Sequence, residues 1–151
     1  MNQQIKLYTR GTFDLFHSGH IQFLQNCRKI CSHLTVALDT DQFILQYRRR
    51  LPMLDYVDRH AKLQQSGLVD DIIQNNYGID SKPSILKANP DVVVFNGLID
   101  EHNQLSHMGI DTNWLNQHNI LLVSFPVKIP IDEQDIKSRL LTNKMIYKSA
   151  N

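Results

Sequence analysis

This 151-residue sequence lacks several features that would assign a protein to a class at once. It has only two cysteines, and none of its apolar runs approaches the roughly 20 residues of a membrane-spanning helix. Its 16 Lys and Arg residues nearly balance 15 Asp and Glu residues, and the formal net charge of +1 does not favour binding to duplex nucleic acid. The sequence also has no internal repeat and no low-complexity tract, which excludes a repeat architecture.

The two cysteines, Cys27 and Cys31, are four residues apart on one predicted helix. This spacing does not suit a disulfide, and two thiols are too few ligands for a structural zinc ion. We therefore expect reduced, partly buried packing residues. The segment Met1–Lys6 has no apolar stretch of the kind that a signal peptide requires, so we expect a cytoplasmic protein with no membrane partner.

The pattern along the chain alternates between strands and helices. Predicted strands are Lys6–Thr9, Leu34–Leu38, Asp71–Gln74, Asp91–Phe95 and Ile120–Phe125. Predicted helices are Gly19–Cys31, Asp41–Tyr47, Val57–Ser66, Lys82–Ala88, Thr112–Gln117 and Gln134–Ile146. This alternation indicates an α/β fold, a Rossmann-like doubly wound parallel sheet of about five strands with helices on both faces. With 42% hydrophobic residues, the sequence is consistent with a single domain over residues 1–151.

The most informative segment follows the first predicted strand and runs from Gly11 to His20. It contains Gly11-Thr12-Phe13-Asp14 and, after two residues, His17-Ser18-Gly19-His20. An apolar-periodic helical stretch begins directly afterwards, so both histidines are expected at a helix N-terminus. Unpaired backbone N–H groups and the helix dipole favour an anion there, and each imidazole can add a hydrogen-bond donor. The segment therefore predicts a phosphate site, in which Gly19 leaves room for the ligand because it has no Cβ atom.

These two motifs resemble the paired G-x-F-D and H-x-G-H signatures of the cytidylyltransferase branch of the H-x-G-H nucleotidyltransferases, especially the members that act on glycerol 3-phosphate. The structural context that such a motif requires, a strand before it and a helix after it, is also predicted. The resemblance implies attack by a substrate phosphate on the α-phosphate of CTP, with release of pyrophosphate. It also implies Mg²⁺ bound with the triphosphate, a phosphorylated small-molecule acceptor and a homodimer.

The resemblance assigns roles to residues of the first motif. His17 and His20 would contact the triphosphate and stabilise the charge that develops on it. Gly11, Thr12 and Phe13 would shape the floor of the pocket. Asp14 has two interpretations: it organises the loop or reaches a ligand hydroxyl or metal, or its side chain only forms a turn.

Other nucleotide-binding positions come from later segments. Arg49 and Arg50 belong to a basic run that holds phosphates in the family, although a solvated basic loop is an equal alternative. Arg59 falls where the family has an arginine that begins a helix. Asn96 and Gly97 stand where the family has a glycine–aspartate pair, and Gly67 stands where an arginine that reaches the active site is expected.

The C-terminal region departs from the resembled pattern. The family has the signature arginine-threonine-x-glycine-isoleucine-serine-threonine-threonine after its last strand, whereas this chain has Val127 at the place of the arginine. Lys128 is a candidate replacement in the nucleotide site. Asp132 and Glu133 occupy hydroxyl positions, and we favour Asp132 as a helix N-cap because carboxylates repel phosphates.

Three functions remain open at this point. The first is transfer of CMP from CTP to a phosphorylated alcohol or polyol of the glycerol 3-phosphate class. The second is the same chemistry with another nucleotide such as ATP, or with a sugar-phosphate acceptor. The third is a degenerate protein that binds nucleotide without catalysis, which the altered C-terminal signature favours.

Overall fold

A computed structural model of the chain describes residues 4–76, 80–96 and 108–125. These residues form five strands and five helices. In chain order they are β1 (Lys6–Gly11), α1 (Ser18–Ile30), β2 (His33–Asp39), α2 (Asp41–Arg48), α3 (Tyr56–Gln65), β3 (Asp71–Asn75), α4 (Lys82–Ala88), β4 (Val92–Asn96), α5 (Thr112–Gln117) and β5 (Leu121–Phe125).

All five strands pair in parallel in one sheet, with the spatial order β3-β2-β1-β4-β5. The register places Thr9 opposite Val36 on one side of β1, and Tyr8 opposite Val93 on the other. The chain builds outward from β1 in one direction and then continues from β4 in the other. The strand order therefore reverses between β1 and β4, and ligands of such sheets bind beyond the carboxyl ends of the strands at this point.

The strands form because their apolar side chains are buried on both faces of the sheet. In β2, Leu34, Val36 and Leu38 join the core on the face that α1 and α3 cover. Ala37 of the same strand joins a second core on the opposite face, with Ile85 of α4 among its members. Side chains alternate between faces along a strand, so continuous apolar runs mark strands that are covered on both sides. Helices on both faces of a doubly wound parallel sheet are thus confirmed.

The predicted elements agree with the structure to within one or two residues at each end. Lys82–Ala88 and Thr112–Gln117 have the predicted bounds, and the first strand extends to Gly11 instead of ending at Thr9. The predicted helix Gln134–Ile146 lies outside the described residues. In the part of the chain that is described, none of the helices has the length and apolar character needed to cross a membrane.

Both cysteines are free thiols, as predicted. Cys27 is buried in the face of α1 that packs on the sheet, and Cys31 packs against the same core while partly exposed. Burial raises the pKa of Cys27 well above its ordinary value and raises that of Cys31 to about 11. Both thiols therefore remain protonated at neutral pH and serve as packing groups.

We predict that Leu24→Ala lowers the free energy of unfolding by about 2–5 kcal/mol, because the side chain is fully buried between α1 and the sheet. Chemical denaturation measures this change. Leu86→Ala is the control: Leu86 is 54% exposed on α4, and its truncation should cost no more than about 0.5 kcal/mol. Equal losses in the two variants would contradict the placement of α1.

Candidate active site

The loop between β1 and α1 turns sharply around a buried aromatic ring. Phe13 and Leu15 have left-handed backbone conformations, with φ values of 51° and 58°. The Phe13 ring is buried, and a Cβ atom on Gly11 would lie 3.0 Å from it. The absence of a Cβ atom at Gly11 therefore favours close packing of the ring under the loop. This packing brings the backbone of Thr12 to the end of β1.

His17 and His20 cap the first turn of α1 by reciprocal hydrogen bonds. His17 is the N-cap residue, and its Nδ1 accepts a hydrogen bond from the backbone N–H of Gly19 at 3.1 Å. His20 reaches back, and its Nδ1 accepts from the backbone N–H of His17 at 3.2 Å. A backbone N–H can only donate, so each Nδ1 is unprotonated and each neutral ring carries its proton on Nε2. Both imidazoles thus have an Nε2–H donor that the helix cap does not use.

The His20 ring lies within a cluster of aromatic rings. It stacks on His17 with a centroid distance of 3.8 Å and on Phe16 at 5.7 Å. Burial lowers the pKa of His20, and the neighbouring His17 lowers it further, while Asp14 acts in the opposite direction. His20 is therefore neutral at neutral pH. At Gly19, a Cβ atom would lie 3.0 Å from the His17 ring, so the missing side chain makes room for that ring.

Asp14 connects the histidine loop to a distant segment. Its two carboxylate oxygens accept hydrogen bonds from the backbone N–H groups of Met53 at 2.7 Å and Leu54 at 2.9 Å. Partial burial acts to raise the pKa of Asp14, but these two donors outweigh it, and the pKa lies below the ordinary value of 3.8. Of the two interpretations of Asp14, the geometry favours loop organisation.

Arg59 differs from its predicted role as a nucleotide contact. Its side chain is fully buried, and the guanidinium donates to Leu54 O at 3.0 Å, Thr12 O at 2.9 Å and Asp41 Oδ1 at 2.7 Å. The helix α3 directs it inward, because Arg59 occupies the same face as the buried Leu63. Arg59 therefore positions the loop that carries Thr12 and does not face the site.

The basic segment at the end of α2 contributes one of the two predicted arginines, Arg50, together with Arg48. Arg48 is the last helical residue, and Arg49 is a C-cap with a left-handed φ of 59°. This reversal of the chain places Arg48 and Arg50 along a cleft with His17 and His20, whereas Arg49 is not among its lining residues. We call this space, of about 420 Å³, the histidine cleft; Thr12, Phe13 and Asp14 also line it. Arg48 is the residue that the sequence analysis missed.

A second cleft of about 280 Å³ adjoins the histidine cleft and shares Thr12, Ile44 and Arg48 with it. Its remaining walls include Arg10, Asp39, Phe43, Tyr47, Phe95 and Met108. Sequence analysis did not identify Arg10 or Asp39. The available signal was their position, since both lie at the carboxyl ends of the neighbouring strands β1 and β2.

The structure describes only some of the remaining predicted positions. Asn96 ends β4, in register with Phe125. Gly97, Lys128 and the altered C-terminal segment lie outside the described residues. Gly67 has a left-handed φ of 70° between α3 and β3 and is not among the residues that line the histidine cleft.

The histidine cleft has the chemistry of an anion site. The N-terminus of α1 supplies the positive end of the helix dipole, while its N–H groups at His17 and Gly19 are used by the histidine cap. Two Nε2–H donors are fixed there in neutral rings, and the exposed Arg48 and Arg50 add positive charge. Donors that are already oriented do not have to reorganise when charge develops on a bound phosphoryl group.

We predict that His20 titrates below its ordinary pKa of 6.5 and that its pKa rises in His17→Ala, because burial and the neighbouring ring charge both decrease. The pKa of His20 is lower in the folded protein than in the unfolded chain, so the unfolded chain binds a proton at His20 first as the pH falls below 6.5. The free energy of unfolding of the unmutated protein therefore decreases in this pH range. An NMR titration of the imidazole protons measures both values. His60→Ala is the control, and an unchanged His20 pKa in His17→Ala would refute the ring coupling.

We predict that Arg59→Met lowers the free energy of unfolding by about 3 kcal/mol or more, because it leaves Asp41 and two backbone carbonyls without their donor. Thermal and chemical denaturation measure the loss. Arg28→Met is the matched control, since Arg28 pairs with Asp70 at the surface and should contribute about 1 kcal/mol or less. A small loss for Arg59→Met would show that the guanidinium does not organise the loop.

Comparison with known proteins places the chain in a family. The sequence model of the cytidylyltransferase-like family matches residues 8–123. Glycerol-3-phosphate cytidylyltransferase of Bacillus subtilis (strain 168) is 36% identical over 89 residues, which cover 59% of this chain and 68% of that protein. FAD synthase of Thermococcus onnurineus (strain NA1) is 31% identical over 91 residues, which cover 60% of this chain and 61% of that protein.

A solved structure supports the fold. The lipopolysaccharide core biosynthesis protein from Thermoplasma volcanium GSS1 superposes with a TM-score of 0.64 and 23% identity, over 82% of this chain and 97% of that one. The family model matches most of the sequence, and the chain has the doubly wound sheet described above. The chain belongs to the cytidylyltransferase-like family of nucleotidyltransferase enzymes.

Proposed function

We propose that this enzyme transfers CMP from CTP to a phosphorylated alcohol or polyol of the glycerol 3-phosphate class and releases pyrophosphate. The observation that carries the proposal is the pair of fixed Nε2–H donors of His17 and His20 at the N-terminus of α1. The similarity to glycerol-3-phosphate cytidylyltransferases of two organisms supports the choice of substrates.

In this proposal the triphosphate lies in the histidine cleft. The N-terminus of α1 and the two imidazoles face its α-phosphoryl oxygens, where negative charge is spread in the transition state. Arg48 and Arg50 line the same cleft and neutralise charge on the leaving pyrophosphate. Both histidines act as neutral hydrogen-bond donors, because their Nδ1 atoms are occupied by the helix cap.

The attacking group needs little activation. A phosphate monoester already carries most of two negative charges at neutral pH, so its oxygen attacks without a strong general base. A new P–O bond forms to the α-phosphorus as the bond between this phosphorus and the β-phosphate oxygen breaks. The electron pair of the broken bond leaves with pyrophosphate. The protein therefore contributes mainly positioning and electrostatic stabilisation.

We also propose that Mg²⁺ arrives with the triphosphate. In the described ranges, no cluster of three or more His, Cys, Asp or Glu side chains is arranged to hold a metal ion. Asp14 uses both carboxylate oxygens for backbone donors. Phosphate oxygens and water would supply the ligands, as is usual for Mg²⁺ with nucleotides.

A second candidate is transfer of AMP from ATP to a different phosphorylated acceptor. The similarity to archaeal FAD synthases, 31% and 32% identical in two examples, favours it because their product contains an adenosine group. A third candidate is nucleotide binding without turnover, since Val127 and Gly67 replace arginines of the resembled pattern.

The test is pyrophosphate release by the purified protein with Mg²⁺, with CTP and ATP assayed separately against glycerol 3-phosphate, ribitol 5-phosphate and sugar phosphates. We expect release with CTP that depends on a polyol phosphate. Release only with ATP would replace the proposal by the second candidate. Nucleotide binding without release for any pair would replace it by the third.

Two variants separate the chemistry of the histidines from their structural role. Asn is a good N-cap residue and Gln a good third helical residue, so His17→Asn and His20→Gln keep acceptors for the cap while they remove the imidazole Nε2–H. We expect each to reduce kcat by about 100-fold or more with little change in Tm. His60→Gln, on α3, is the control. Full activity in both variants would refute the proposed mechanism.

A further inference from the structure

The proposed mechanism places the triphosphate in the histidine cleft and leaves the second cleft, defined above, unassigned. The second cleft opens beside the histidine cleft, with Thr12 and Arg48 in the wall between them. Two of its residues mark the opposite face of the sheet: Met108 belongs to the core under α4 and α5, and Phe95 packs against that core, although Val94 of the lining belongs to the core under α1. The histidine cleft instead adjoins the core under α1, to which Phe13 belongs. A ligand in each cleft would therefore approach the end of β1 from opposite sides.

Arg10 and Asp39 form the polar floor of the second cleft. Arg10 lies two residues after Tyr8 and so shares its face of the sheet, and its guanidinium donates to Ser81 Oγ at 2.5 Å. Its Nε lies 4.0 Å from Asp39 Oδ1, with the side chains only 13% and 9% exposed. Asp39 also accepts hydrogen bonds from Thr12 at 3.0 Å and Asn75 at 2.7 Å.

An apolar and aromatic wall stands next to this polar floor. The Arg10 guanidinium lies over the Phe43 ring, 5.3 Å from its centroid. Tyr47 stacks nearly parallel to Phe43, with centroids 5.7 Å apart and planes 7° apart. The stacked rings line the cleft on the α2 side, and the Arg10 guanidinium has a cation–π contact with Phe43. A small ligand here meets hydrogen-bonding groups on one side and rings on the other.

We propose that the second cleft binds the body of the acceptor and that Arg10 and Asp39 select an uncharged polyol chain over an amino-alcohol chain. This inference rests on the proposed function. Phosphoryl transfer places the attacking and leaving oxygens roughly in line across the phosphorus. With the triphosphate in the histidine cleft, the acceptor phosphate enters from the other side of Thr12 and Arg48. Its carbon chain then occupies the second cleft.

The charges of the cleft explain the preference for hydroxyl groups. Among the described residues that line the cleft, Arg10 and Arg48 give two positive charges and Asp39 gives one carboxylate, which is already hydrogen-bonded to Thr12 and Asn75. An ammonium group in this cleft would be repelled by the two guanidinium groups. Hydroxyl groups both donate and accept, and they match a guanidinium beside a carboxylate. A volume of about 280 Å³ admits a short polyol chain.

The test compares acceptor and nucleotide binding in Arg10→Gln and in the parent enzyme. We expect the KM or Kd for glycerol 3-phosphate to rise about tenfold or more, because a hydrogen bond from a charged group is lost. The Kd for CTP should change by no more than about twofold, as for a residue outside the nucleotide site. Arg28→Gln, which removes the same charge from the partly exposed Arg28–Asp70 pair on α1, is the matched control and should change neither value.

A second variant tests the same inference if Arg10→Gln does not fold. Tyr47 is 41% exposed, so Tyr47→Ala removes one wall of the cleft without opening the core, and it should weaken glycerol 3-phosphate binding but not CTP binding. In the parent, glycerol 3-phosphate and ribitol 5-phosphate should bind more tightly than phosphoethanolamine. The opposite preference, or no binding of any polyol phosphate, would overturn the inference.

The outcomes also separate this inference from the proposed function. If the parent transfers CMP to glycerol 3-phosphate but Arg10→Gln and Tyr47→Ala leave acceptor binding unchanged, the function holds and the cleft assignment fails. Equal weakening of CTP and acceptor binding would assign the cleft to the nucleotide. If the parent binds glycerol 3-phosphate through Arg10 and Tyr47 without turnover, the cleft assignment holds and the proposed function fails.

Discussion

The buried guanidinium of Arg59 is the contact on which the arrangement of the site depends. It donates to the Thr12 carbonyl, to the Leu54 carbonyl and to the Asp41 carboxylate, which belong to three separate segments. A charge inside a protein must be matched by acceptors, so burial of this one side chain fixes all three segments together. Asp14 adds a second connection to the same loop through Met53 and Leu54. The histidine loop, with left-handed residues at Phe13 and Leu15, keeps its shape because these contacts determine it.

The sheet provides the second constraint. Because the strand order reverses between β1 and β4, the end of β1 has open space on both faces. One face holds the helix N-terminus and the two imidazoles, and the other holds the Arg10–Asp39 pair above the aromatic stack. Thr12 and Arg48 belong to both clefts. The proposed reaction joins two phosphorylated molecules. Their phosphate groups must come together while the rest of each molecule occupies a separate cleft, and two clefts that share lining residues allow this arrangement.

The secondary structure could be read from the sequence because its causes are local. Apolar β-branched runs such as Val92–Val94 form strands, and caps such as Thr40 and Asp55 begin helices. The histidine motif was located for the same reason. Sequence reasoning failed where the cause is distant or depends on a single backbone angle. Arg49 has a left-handed φ and does not line the histidine cleft, and Arg59 is buried because Asp41 and Thr12, 18 and 47 residues away along the chain, accept from it. The partners of Asp14 are 39 and 40 residues distant.

The reciprocal cap formed by His17 and His20 has a consequence for how this sequence can change over time. Each ring accepts a hydrogen bond from the backbone that begins α1, so each histidine serves the folding of that helix as well as the anion site. Under the proposed mechanism, most replacements at either position would be selected against twice, once through turnover and once through the start of α1. A descendant that lost its substrates would keep selection for the helix cap. In such a lineage the histidine pair would outlast the reaction, and the exposed Arg48 and Arg50, which hold no part of the core, would drift first.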